Sequence, residues 1–227
     1  MALSSATAQE LRADRYHLGV RLAALGAWLA AIVIVYAAGW WLLRLILGEA
    51  VGVAVVLLFV VALFLSQPLA RWGEYQLIRF WPSGRAVQLE PEAIVLKEKS
   101  STARINLAQK VNFWRWRFEI RNRRGGHVPN GHHCFAIRLV QSDTTFSLYA
   151  LVSPAQAASL MERYPFYQLH SPSEKARSAA LGGRDAIYLA AENARWADGA
   201  ELDPSDFAAL LHHLETHVLD FTVASAS

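Results

Sequence analysis

The densest run of chemistry-bearing side chains extends from Phe113 to Arg124, reading FWRWRFEIRNRR. Side chains of a β-strand alternate between faces, so Trp114, Trp116, Phe118 and Ile120 share one side and Arg115, Arg117, Glu119, Arg121 and Arg123 the other. The apolar side is expected to pack into a core. The arginine side is a candidate anion surface, because planar guanidinium groups bind phosphate bidentately. Arg115, Arg117, Arg121 and Arg123 are therefore the candidate headgroup ligands. A solvated, ion-paired outer face and an acidic protein partner are competing readings. Nucleic acid is not expected as a partner, since stacking sites need aromatic and basic groups together.

Two histidine clusters come next. His127, His132, His133 and Cys134 are close in sequence, but their spacing matches none of the tight ligand pairs of zinc sites, so a polar loop is the simpler reading. His213 and His217 lie one helical turn apart beside His212, where imidazoles also suit a helix C-terminus. No metal or cofactor is expected. The chain has no G-x-S-x-G, no phosphate-cradling glycine loop, no dinucleotide fingerprint and no H-E-x-x-H. The carboxylates of the central region, Glu90, Glu92, Glu98, Glu119 and Asp143, fall in turns or on the exposed phase of strands. The sequence thus predicts a non-catalytic protein.

These residues must be positioned by a chain whose first third is apolar. Leu22 to Leu43 carries no charge, Arg44 to Glu49 interrupts, and Ala50 to Ala70 is again uncharged. Each run is long enough to cross a hydrocarbon layer about 30 Å thick, so residues 22–70 are read as a transmembrane hairpin. Trp40 and Trp41, Arg44, Arg71 and Trp72 are the expected interfacial anchors, the arginines snorkelling along their aliphatic stems. Small residues four apart, Gly26 with Ala30 and Gly48 with Gly52, permit close helix approach, although two spans joined by so short a turn must pack antiparallel in any case. Pro68 and Gly73 are expected to mark the end of the second span. The spans hold no ionisable group at mid-depth, which argues against a pump or transporter. Arg12, Arg15 and Arg21 precede the hairpin and Arg71, Arg79 and Arg85 follow it, with Arg44 alone between. By the positive-inside rule both termini are cytoplasmic, which places the chain in the cytoplasmic (inner) membrane. A single cysteine among 227 residues fits a reducing compartment. Residues 1–21 are read as a cytoplasmic leader, either unstructured or helical from Ala8 to Arg21, and the first span is expected to stay in the mature protein.

From Arg85 the periodicity turns from helical to alternating. Strands are predicted over residues 86–89, 93–96, 103–107, 111–124, 134–140 and 144–151, separated by turn signals such as Glu90-Pro91-Glu92 and Gln141-Ser142-Asp143. Ser153-Pro154 then opens a helix by N-cap logic, with Ala157, Leu160, Met161 and Tyr164 on one face. About six short strands, a basic strand after Ile105 to Leu107, a late hairpin and a helix starting at Ser153-Pro154 resemble the bacterial pleckstrin-homology (PH-like) domain in membrane-tethered form. The resemblance covers roughly residues 72–165 and implies an antiparallel β barrel or sandwich closed by a C-terminal helix.

Residues 166–227 form a helical extension. Asp203-Pro204 starts a helix whose apolar stripe, Phe207, Leu210, Leu211, Leu214 and Val218, continues to Phe221. It must be buried, either on the β domain or as a docking face for a partner protein. The resulting expectation is a transmembrane α-helical hairpin plus an α+β domain at residues 71–165 and a helical extension. Its expected work is that of an accessory, assembly or scaffold subunit of a larger membrane complex. An anionic-lipid sensor is the first alternative and a membrane-bound enzyme the second.

Overall fold

The computed structural model describes residues 8–15, 17–48, 54–121, 128, 130–169, 184–218 and 221. It divides into two compact units: residues 15–83, and the remainder of the chain on both sides of them.

The first unit is a pair of helices, α1 (Leu18–Leu47) and α2 (Ala54–Phe80). At 1.5 Å per residue they are about 45 and 40 Å long, and both are long and apolar enough to cross a membrane. They run antiparallel: Gly39 packs on Leu58, Tyr36 meets Phe59 edge-on, and Gly19 lies beside Trp81. A Cβ on Gly39 would meet Leu58 Cδ1, so a larger residue there would need the Leu58 side chain to move. A Cβ on Gly26, whose spacing from Ala30 would permit such an approach, meets nothing within 4 Å, and the residue is exposed. Gly48 is equally open, and Gly52 lies outside the described residues. Val20, Ile32, Ala62 and Ser66 are buried, and Ser66 Oγ donates to the Leu63 carbonyl. Most other side chains on both helices point outward.

Pro68, read as the place where the second span meets the membrane interface, does not interrupt the second helix. It sits inside α2, which continues to Phe80. The helical element extends well past residue 70, and the second unit resumes at Gly84.

The second unit is α+β. Residues 9–12, read as leader, form a strand, β1 (Gln9–Arg12). Leu11 and Ala13 point inward and are buried while Glu10 and Arg12 are exposed, an alternation too short to stand out in sequence. β1 pairs antiparallel with β2 (Ala86–Glu90), β2 with β3 (Ala93–Lys97) and β3 with β4 (Thr102–Asn106). The whole hairpin is thus inserted between two neighbouring strands. Its two flanks are held together by a hydrogen bond from Ala13 N to Arg85 O at 3.1 Å.

The second sheet has the order β8-β5-β6-β7-β9. β5 (Asn112–Glu119), β6 (His133–Gln141) and β7 (Thr144–Val152) form an antiparallel meander. Two short strands flank it in parallel, β8 (Tyr167–Gln168) against β5 and β9 (Ala200–Leu202) against β7. An isolated bridge between Ala13 and Leu202 links the two sheets on one side. On the other, the Gln141 amide stands in for a strand, accepting from Asn106 N and donating to Asn106 O.

Three helices complete the unit: α3 (Pro154–Arg163), α4 (Arg184–Asp198) and α5 (Pro204–His217). A capping box between Ser153 and Gln156 starts α3, as the sequence predicts. The main core joins both sheets to α3 and α5 through residues such as Leu11, Ile94, Ile137, Leu148, Ala157 and Phe221. Phe207, Leu210, Leu211 and Leu214 are fully buried within it, and Val218 packs against it. The stripe read as a possible partner-docking face is therefore core of its own domain. Each such side chain contributes roughly 1.5–3 kcal/mol by leaving water, which free exposure would forfeit.

Candidate functional site

β5 was expected to turn its tryptophans to the core and its arginines to solvent. The alternation holds, but both faces are covered. Trp116 is buried in a second cluster with Ala136, Leu169, Tyr188 and Ala191, flanked by Trp114, Phe118, Tyr149 and Tyr167. Here α4 lies over the sheet. The opposite face carries Phe113 and Arg115 toward the main core. Arg115 is 1% exposed, and its guanidinium stands 4.5 Å from the Phe221 ring centroid and 5.3 Å from that of Phe113. Burial pulls its pKa down to about 10. Arg115 is thus withdrawn from the anion surface proposed for it. Arg117 is half-buried, with its pKa lowered by that burial. Arg121 is exposed and pairs with Glu119 at 2.7 Å, while Arg123 lies outside the described residues. Among the described residues, Arg115 is buried away from the surface that Arg121 reaches, so the predicted arginine face is not one site.

The polar groups that the fold does gather lie between α4 and the sheet. Glu192 accepts from Trp116 Nε1 at 2.8 Å and from Arg195 through a two-pronged contact, Nε at 2.8 Å and Nη2 at 2.5 Å. Arg195 is buried and stacks 4.5 Å above the Tyr149 ring. Burial opposes its charge, but the Glu192 hydrogen bond and the neighbouring Cys134 and Tyr149 hold its pKa above the usual value. Tyr149 in turn donates to Glu201 Oε2 at 3.1 Å, and its pKa is raised, chiefly by burial. Tyr167 stacks on Tyr188 with centroids 4.1 Å apart and donates to Asp185. In this cluster the acid is neutralised by a fixed base and the phenols are engaged as donors. That chemistry fastens α4 to the sheet; a general acid or base would need a group able to exchange its proton.

A second polar node sits where the chain leaves and re-enters the domain. Arg85 Nη1 donates to Asp14 Oδ2 at 2.8 Å and to Gly199 O at 3.3 Å. Its Nη2 donates to Glu98 Oε1 at 2.6 Å and to Asp198 O at 2.9 Å. Asp14, in the left-handed region at φ 52°, also accepts from Glu201 N through Oδ1. The Arg85 hydrogen bond draws the Glu98 carboxyl below its usual range. One guanidinium so ties together the end of β1, the start of β2, the β3–β4 turn and the α4–β9 junction. Sequence reading took Arg85 only as a topology signal, and nothing local marked its distant partners.

The remaining sequence candidates scatter. Cys134 is buried on β6, and His132 and His133 precede it, with burial lowering the His133 pKa; His127 lies outside the described residues. Among the described residues no group of three or more His, Cys, Asp or Glu is placed to hold a metal. His213 and His217 face each other with rings 4.4 Å apart. Trp41 and Trp72 are two-thirds exposed, Trp40 is half-buried, and Arg44 and Arg71 are exposed; Arg71 and Trp72 fall inside α2 rather than after it. No protein-family model, curated protein or solved structure matches the chain.

Proposed function

We propose that the chain is a non-catalytic integral membrane protein of the accessory, assembly or scaffold kind, presenting a cytoplasmic PH-like domain to protein partners. The observation that carries this reading is the insertion of two outward-facing apolar helices between the hydrogen-bonded strands β1 and β2. A domain built from chain on both sides of a hairpin cannot be released from it without losing an edge strand, which suits a fixed platform rather than a tethered catalyst. The two antiparallel meanders followed by α3 support the PH-like resemblance. The excess of arginine on the flanks over the single Arg44 at the turn supports cytoplasmic termini. Mutual pairing of Glu192 with Arg195 and of Arg85 with Asp14 and Glu98 weighs against an enzyme. Because α5 is used internally, partners would engage the outer surfaces of the hairpin or of the domain. Extraction of native membranes in mild detergent, followed by purification of the tagged full chain, tests this. Co-purification of other membrane proteins at fixed stoichiometry is expected; a chain that crosslinks to nothing in intact membranes and purifies alone would overturn it.

A further inference from the structure

The outward face of the four-stranded sheet is sorted by charge along the strands. Its register places Arg12, Ala86, Lys97 and Thr102 in one row, Glu10, Gln88, Val95 and Arg104 in the next, and Glu90, Ala93 and Asn106 in the last. The first row lies at the end where the chain departs at Asp14 and returns at Gly84. Arg12 and Lys97 flank Ala86 on the two neighbouring strands. Lys99 joins them from the β3–β4 turn: Gly84, at φ 80°, lets its stem lie so close that a Cβ there would meet Lys99 Cγ and Cε at 2.8 Å. All three cations are exposed.

Their neighbours behave differently. Arg85 is tied to Asp14 and Glu98, and Arg104 to Glu90 at 2.8 Å. Arg12, Lys97 and Lys99 have no ion pair with a described residue, and the face's acids, Glu10 and Glu90, stand in the rows farther from the joint. Arg12 is seven residues before Gly19, where the first apolar span begins, and Gly84 four after Phe80, where the second ends, so the chain limits their distances from the spans to about 25 and 14 Å. The Debye length at 0.1 M salt is about 10 Å. A cation that comes within that distance of an anionic leaflet is attracted by its surface potential.

We infer that Arg12, Lys97 and Lys99 form a contact for anionic phospholipid headgroups, separate from the β5 arginines. The contact orients the domain on the bilayer, and its strength follows leaflet charge. It rests on the reading that the hairpin spans a membrane.

The chain has four lysines, Lys97, Lys99, Lys110 and Lys175, so amine labelling resolved by mass spectrometry reports the contact directly. Lys110 is an internal reference, because it follows β4 beyond Asn106, in the row farthest from the joint. The full chain is reconstituted in neutral phosphatidylcholine vesicles and in vesicles containing phosphatidylglycerol. A surface potential near −30 mV concentrates protons about threefold, so labelling of Lys97 and Lys99 should slow about threefold or more in the anionic vesicles. Lys110 should be unaffected, high salt should restore the rates, and Arg12→Glu should weaken the protection. Equal slowing of Lys110, or no slowing at Lys97 and Lys99, overturns the contact. Flotation with neutral vesicles after a carbonate wash reads insertion separately; failure there overturns the membrane reading and this inference with it.

Discussion

The five-stranded sheet has an inner face packed by α3 and α5 and an outer face packed by α4, and the two use different chemistry. Inside, Phe207, Leu210, Leu211 and Leu214 meet Ile137, Leu139 and Leu148 in one continuous aliphatic and aromatic core. Outside, a small cluster around Trp116 and Tyr188 is closed by the Glu192–Arg195 pair. The inner contact is non-directional and scales with area. The outer one depends on a few bonds with defined geometry. A helix held by few bonds can detach while the rest stays folded, because local openings cost less than global unfolding.

Truncation in the inner layer should do the most damage. Phe207→Ala leaves a cavity in the main core and is expected to cost about 3–5 kcal/mol, measured as a lowered denaturation midpoint of the full chain in detergent, with exchange protection lost across both sheets together. Intact protection in the first sheet would break the claim that one core unites them. In the outer layer, Glu192→Ala leaves Arg195 buried without its counterion and Trp116 Nε1 without its acceptor. The expected cost is about 2–3 kcal/mol. Its signature is local: amide exchange should rise in α4 and β9 while α3 and α5 stay protected. A uniform rise would mean that the outer layer belongs to the same cooperative unit as the inner one.

How much of this was legible follows from how far apart the partners lie in the chain. β2 to β7 and α3 could be read because alternation, turn residues and the Ser153-Pro154 cap are local signals. β1 could not, since its four residues match no pattern long enough to register and its partner β2 lies beyond the whole hairpin. The parallel pairing of Leu148 with Ala200 is likewise invisible in the residues around either. For β5, alternation correctly separated the tryptophans from the arginines, yet alternation cannot say which face meets the larger core or that α4 covers the other. Hence Arg115, chosen as a surface ligand, is buried. Asp14, Glu98, Glu192 and Arg195 were missed for the same reason: an ionisable residue looks solvated in sequence until its partner is folded against it.

The smallest predicted effect separates the layers by pH. α5 carries His213, half-buried and one turn from His217, whereas α4 contains no histidine. Burial lowers the His213 pKa below the usual 6.5, and the neighbouring His217 and His212 push the same way, against a hydrogen bond to the Glu90 backbone. A base whose folded pKa is depressed takes up its proton first in the unfolded chain. Stability therefore falls as pH drops below 6.5 and stops falling once the folded imidazole is also protonated. His133, lowered by burial and by Arg117 and His132 against the opposing pull of Glu119, adds a contribution of the same sign. Over that window α5 should lose exchange protection before α4 does, because the groups that fasten α4 are carboxylates, phenols and a guanidinium, none of which is an imidazole. His213→Gln should flatten part of the slope of midpoint against pH between 6.5 and 5 and leave the values at pH 8 nearly unchanged. An undiminished slope in the variant would assign the acid sensitivity to His133 or to the carboxylates, and would remove the distinction in pH response between the two faces.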